Sequence, residues 1–195
     1  MSFTENYEHY RWFFTSTGIL VVGGESAVQN DALLQEVLAR KEEYCIMHTE
    51  EPGSPFTIID APIASLTQQE YKEVAIFTAC FSKAWKAGKK QASVHIFSSS
   101  QIHKQSAMKA GTWGVYGNVQ RLTVPLQLAL VKQKGKLRAV PPSLVKGKKQ
   151  KLYVIPGTTP KEELLPKLEL ELDSALAADE VLQALPAGGC KMYHE

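Results

Sequence analysis

Residues 67–97, TQQEYKEVAIFTACFSKAWKAGKKQASVHIF, read as one long helix running into a strand, and that reading decides the fold class. Thr67 followed three residues later by Glu70 has the form of a capping-box start. Val74, Phe77, Phe81, Ala84 and Trp85 then recur at i, i+3 and i+4, a stripe made to face a core. The pattern predicts a helix over 67–87, closed at Gly88, and a strand over 93–97. The same stretch carries Lys83, Lys86, Lys89 and Lys90 with no acid beside them. Complementing a helix dipole accounts for one or two of these lysines, not for all four.

Upstream, RWFFTSTGILVVGG (11–24) predicts two strands joined at Thr17-Gly18. A helix follows over VQNDALLQEVLARKEE (28–43), with Asn30 or Asp31 available as its cap. YCIMHT and PFTIID predict two more strands around the turn residues Pro52-Gly53-Ser54. Downstream, TVPLQLALVKQKGKLRAV predicts a hairpin turning at Lys134-Gly135, and KLYVIPG a last strand. TPKEELLPKLELEL and AADEVLQAL predict two acidic amphipathic helices. The expected architecture is α+β: a mixed, mainly antiparallel sheet packed by one long central helix, with C-terminal acidic helices. Residues 1–155 form the expected core and 156–195 a helical extension packed on the same domain.

Composition narrows the function. The chain has 195 residues, 44% of them apolar, enough to bury a real core. No apolar run nears the roughly 20 residues of a membrane span, and the N-terminus has no signal-peptide pattern, so a cytoplasmic location is expected. Cys45, Cys80 and Cys190 are odd in number and far apart, which argues against a disulfide scaffold or a structural zinc site. No cofactor or metal is expected. The net charge of +2 conceals a strong asymmetry. Residues 1–73 hold 4 basic and 12 acidic side chains, residues 74–161 hold 16 basic and no acidic ones, and residues 162–195 hold 2 basic and 8 acidic. An acid-free run of that length reads as a face for a polyanion, unless the acidic ends fold over it.

Motifs for catalysis are weak. GGESAVQND after a strand lacks both the GK[ST] of a phosphate loop and the GxGxxG of a dinucleotide fold. His48 with Glu50 and Glu51 nearby is the best candidate acid–base cluster, and a hydrogen-bonded structural histidine is its plainer role. Among the aromatics, Trp12 and Trp85 lie on apolar stripes and belong to the core. Trp113, among glycines and after Lys104 and Lys109, is the expected stacking residue for a nucleobase.

An ordered series of motifs carries a resemblance over nearly the whole chain. YEHYRWFFTSTGILVVGGESAVQND, HTEEPGSPFTIID, FTACFSKAWKAG, AGTWGVYGN, VPLQLAL, VPPSLV, YVIPGTTPKEEL and LPAGG follow one another as in the NFACT-R domain. That domain is the RNA-binding module of the NFACT ribosome-associated quality-control proteins, and this chain resembles it as a stand-alone unit. The resemblance implies a non-catalytic role: contact with ribosomal RNA or tRNA, in the setting of the large ribosomal subunit, with a protein partner supplying the other NFACT domains. The family-like positions are Arg11, Trp12, Gly23, Gly24, Asn30, His48, Ser82, Lys83, Trp85 and Lys104. Two departures stand out: Pro52 occupies the place of a second histidine, and the loop between Lys104 and Gly111 is short.

The expected RNA-binding residues are therefore Arg11, His48, Lys83, Lys86, Lys89, Lys90, Lys104, Lys109, Trp113 and Arg121. Lys146, Lys148, Lys149 and Lys151 form a second basic cluster. The competing readings are an RNA-modifying or other enzyme built on His48 and its neighbouring carboxylates, and a protein-interaction adaptor.

Overall fold

The computed structural model describes residues 3–149 and 151–194. Strands β1 (Arg11–Phe14) and β2 (Leu20–Gly23) form the expected N-terminal hairpin, with Arg11 opposite Gly23 and Phe14 opposite Leu20. Helix α1 (Ala27–Leu38) starts one residue earlier than the patterning implied and ends five residues short of its expected end at 43. Its cap is Ser26, whose hydroxyl accepts the Gln29 N–H at 3.2 Å, so neither Asn30 nor Asp31 plays that part. β3 (Tyr44–Thr49) and β4 (Thr57–Pro62) follow as expected.

The long helix over 67–87 is not one helix. α2 (Gln68–Cys80) starts with the Thr67/Glu70 capping box, and α3 (Lys83–Lys86) is a separate short turn. Ser82 breaks the run: its backbone is extended, its hydroxyl accepts the Ala84 N–H at 3.1 Å and donates to the Ala79 carbonyl at 2.7 Å. The Lys83 N–H meanwhile leaves the helix and donates to the Gly53 carbonyl at 3.0 Å.

β5 (Gln91–Ser98), β6 (Ile102–His103), β7 (Gly114–Val115) and β8 (Gln120–Pro125) come next. β9 (Leu128–Gln133) and β10 (Lys136–Val140) make the expected hairpin, and β11 (Leu152–Thr159) leads into α4 (Leu165–Leu172) and α5 (Ala178–Ala184). A final strand, β12 (Cys190–His194), pairs with β11 and has no counterpart in the sequence reading.

The single sheet expected is instead three among the described residues, and every pairing is antiparallel: β1-β2-β4-β3-β5-β8, β10-β9-β11-β12, and the small β6-β7 ribbon. The six-stranded sheet is buried on both faces. Cys45, Met47, Val94, Ile96 and Val124 point toward α2 and the second sheet. Ile46, Ile58, Phe97 and Trp12 point the other way, onto Leu33, Leu34 and Val37 of α1. Alternation along the strands produces both cores at once.

Two polar ties lock the layers. Gln133 of β9 reaches the free edge of β1, accepting the Phe14 N–H and donating to the Phe14 carbonyl, both at 2.8 Å. Glu73 of α2, fully buried, accepts from the Ser16 N–H (3.0 Å), the Gln69 amide (2.9 Å) and the Ser143 hydroxyl (2.8 Å). These three donors offset part of the cost of burying the carboxylate. All three cysteines are buried and unpaired, and burial pushes the Cys190 thiol up to about 11. Among the described residues no helix is long and apolar enough to cross a membrane.

Candidate functional site

Cross-strand register builds the site. His48 of β3 stands opposite His95 of β5, and His95 opposite Arg121 of β8. Met47 pairs with Thr57 of β4, which sets Phe56 beside His48; their rings lie 4.5 Å apart at 34°. Phe56, His48, His95 and Arg121 thus make one row on the α1 face of the sheet, beyond the part the helix covers. The start of α1 (Ala27, Asn30) walls one side, and residues 110–113 wall another. Between them lies a cleft of about 480 Å³, with aromatic walls from Phe56, Phe97 and Trp113.

The far wall is pinned by Asp31. Its carboxylate accepts from the Lys104 ammonium (3.0 Å), the Gly111 N–H (3.0 Å) and the Trp113 indole (2.7 Å). Gly111 has φ +75° and a Cβ there would meet Ala27 at 2.7 Å, so the wall seats only with glycine at this position. Burial works to raise the Asp31 pKa, and these hydrogen bonds outweigh it and hold the carboxyl below its usual value. We expect Asp31→Ala to cost about 1–3 kcal/mol, from the loss of charge-assisted hydrogen bonds. Urea denaturation and faster exchange of the Gly111 amide would report it. With a folded pKa depressed below the unfolded one, the contribution is complete above roughly pH 4 and is lost as pH falls through the folded value. Unchanged Gly111 exchange in the variant would refute the pinning role.

The polar end of the cleft is made by His48, His95 and Glu50. The His48 Nδ1 lies 2.7 Å from the Thr49 carbonyl and must carry the proton, since a carbonyl only accepts. Burial, reinforced by nearby His95, pushes the His48 pKa down against the pull of that hydrogen bond. The neutral ring then offers Nε2 as an acceptor. His95 Nε2 is buried without a hydrogen-bond partner, 4.0 Å from Glu50 Oε1. Glu50 Oε1 also receives Arg121.

The structure sorts the expected site residues into distinct groups. His48 and Trp113 line the cleft, and Arg121 flanks it through Glu50. Trp113, expected to stack on a nucleobase, is only 9% exposed and spends its N–H on Asp31, so its ring is held as part of the cleft wall. Lys104 is a tie and not a free cation: its three protons go to Asp31, the Lys109 carbonyl (2.9 Å) and the Thr112 carbonyl (3.0 Å). Lys89 is held by both oxygens of Glu51 (2.9 and 2.7 Å). Arg11 sits on the opposite face, 4.9 Å over the Phe81 ring and 3.9 Å from Glu25, away from the cleft. Lys83, Lys86, Lys90 and Lys109 are exposed and form no ion pair among the described residues. Lys83 reaches the cleft through Gly53, one of its lining residues: the lysine stem lies over that glycine, where an added Cβ would meet Lys83 Cδ at 2.5 Å.

The acidic N-terminal segment therefore does reach into the basic one. Glu51, Glu50, Asp31 and Glu8 neutralise Lys89, Arg121, Lys104 and Lys136. Sequence reading missed Phe56 and His95, which only register identifies. It also missed Tyr116, whose ring is 58% exposed and stacks on His103 at 3.9 Å and 19°. Its place between Gly114 and Gly117 was the available signal.

Comparison with known proteins agrees on a family. The model of the NFACT protein RNA binding domain matches residues 9–117, more than half of the chain. An archaeal Rqc2 homologue, aRqcH of Methanocaldococcus jannaschii, is 24% identical over 197 residues, covering 95% of this chain and 29% of the relative. A ribosome quality control complex subunit NEMF homologue of Drosophila melanogaster is 29% identical over 82 residues, 42% of this chain and 8% of its own length. The chain thus spans less than a third of either relative. The C-terminal part of the fibronectin/fibrinogen-binding protein of Streptococcus suis superposes with a TM-score of 0.52 at 20% identity, over 59% of this chain and 44% of that one, a likeness of fold.

Proposed function

The chain belongs to the family of NFACT protein RNA binding domains, and from that membership we propose a non-catalytic module that holds ribosomal RNA or tRNA during ribosome-associated quality control. The observation that carries the proposal is the pairing of an aromatic-walled cleft with exposed lysines, Lys83 packed on the Gly53 turn of its lining and Lys86, Lys90 and Lys109 beyond. Lysines on flexible stems take phosphates and release counterions with little regard to sequence, while a cleft discriminates bases. The ion pairs at Lys89, Lys104 and Arg121 reduce the cationic set from the ten-residue list to a smaller working group. The large ribosomal subunit is the proposed setting, a partner chain the proposed source of the remaining NFACT domains, and the cytoplasm the proposed location.

A hydrolytic or modifying reaction finds little support in the cleft. His48 leans on a backbone carbonyl and not on a carboxylate. The Ser54 hydroxyl is engaged, accepting the Thr49 N–H at 2.9 Å and donating to the Pro55 carbonyl at 3.1 Å. A nucleophile paired to an oriented base is the arrangement such chemistry needs.

The test is a salt titration of binding to a single-stranded RNA. With about six phosphates engaged, log affinity should fall against log salt with a slope of roughly −4 to −5. A flat response would overturn the proposal.

A further inference from the structure

We propose that the cleft between the sheet and residues 110–113 is a pocket for one unstacked guanine base. This deepens the RNA-binding reading and rests on it. The cavity of about 480 Å³ has room for a purine and its ribose, and its walls are flat and apolar: Phe56, Phe97 and Trp113. Single-stranded RNA is read by splaying bases onto such surfaces and hydrogen-bonding their edges.

The choice of base follows from the polar end. Glu50 lines the cleft and neutralises Arg121 through one oxygen, which leaves its other oxygen as an acceptor for the edge of a base. Arg121 holds its Oε1, and Oε2 makes no hydrogen bond among the described residues. Carboxylates accept and never donate when ionised. Guanine is the base whose Watson–Crick edge presents two adjacent donors, N1–H and N2–H; adenine presents one amino group beside an acceptor, and uracil one imino group. His95 Nε2, buried and without a hydrogen-bond partner 4.0 Å from Glu50, is a second group awaiting a ligand. His48 Nε2, left as an acceptor by the hydrogen bond at Nδ1, can accept a hydrogen bond from a ribose hydroxyl.

The experiment uses the full chain and fluorescent uridine 12-mers, unmodified or with one central guanosine, adenosine or abasic ribose, compared by anisotropy at fixed salt. The guanosine oligomer is expected to bind about tenfold more tightly than the adenosine or unmodified one, the size of one good bidentate base contact. Glu50→Gln removes an obligate acceptor and should abolish that preference. Ala110→Trp, at an exposed position on the wall, should fill the mouth and do the same, which guards against a fold effect of either change. Equal affinity for all four oligomers with a steep salt dependence would overturn the pocket and leave the RNA-binding module standing. No binding to any of them would overturn both.

Discussion

Replacing Lys83, Lys86 and Lys90 together by alanine is expected to weaken single-stranded RNA binding about a hundredfold and to flatten the salt slope by about 2. The three are exposed and form no ion pair among the described residues, so on the proposed function each truncation would delete a phosphate contact and its released counterion. No internal partner is stranded, so thermal stability should change little. Filter binding across a salt series gives affinity and slope together. An unchanged slope would move the backbone contact to another surface, such as the cluster at Lys146, Lys148 and Lys149. Lys104 makes an instructive contrast: its truncation would unpin the cleft wall and would lower affinity through the fold.

Trp85→Ala is expected to cost about 3–5 kcal/mol, the range for emptying a large buried aromatic site. Trp85 is 1% exposed in the main core, and its indole N–H donates to the Gly189 carbonyl at 3.1 Å. It therefore fastens α3 to the approach of β12, so the loss combines a cavity with an unmet carbonyl. A domain with the usual stability of about 5–15 kcal/mol would be left marginal. Urea unfolding should show a large drop in midpoint, and RNA affinity should fall with it because α3 carries Lys83 and Lys86. A destabilisation below about 1 kcal/mol would contradict the anchoring role.

What could be read in the chain follows the range of the forces involved. The Thr67/Glu70 cap, the β1–β2 hairpin and the β9–β10 hairpin are set by residues within a few positions of one another, and these appear as expected. The burial of Trp12 and Trp85 follows from stripes of the same short period. The break at Ser82 was hidden because the partner that diverts the Lys83 N–H is Gly53, thirty residues away and invisible to periodicity. β12 was hidden because CKMYH gains its place only by pairing with β11.

The same limit applied to the site. Charge asymmetry along the chain correctly marked a basic segment, yet which lysines remain free depends on where β3 and β5 bring Glu50 and Glu51. Trp113 read as a stacking residue among glycines, and its tie to Asp31, which sets it into the cleft wall, depends on a residue 82 positions away. Family resemblance singled out His48, while its alignment in one row with Phe56, His95 and Arg121 emerged only from register.

One small junction joins the two halves of the proposed grip. Gly53 has φ +110°, its carbonyl holds the Lys83 N–H, and the Lys83 stem lies across the space a side chain would take. The turn that edges the cleft and the first residue of α3 are therefore coupled like the two arms of a rocker. On the proposed function, a base seated in the cleft and a phosphate held by Lys83 would share this one hinge-like support, so a change at the turn would be felt by both.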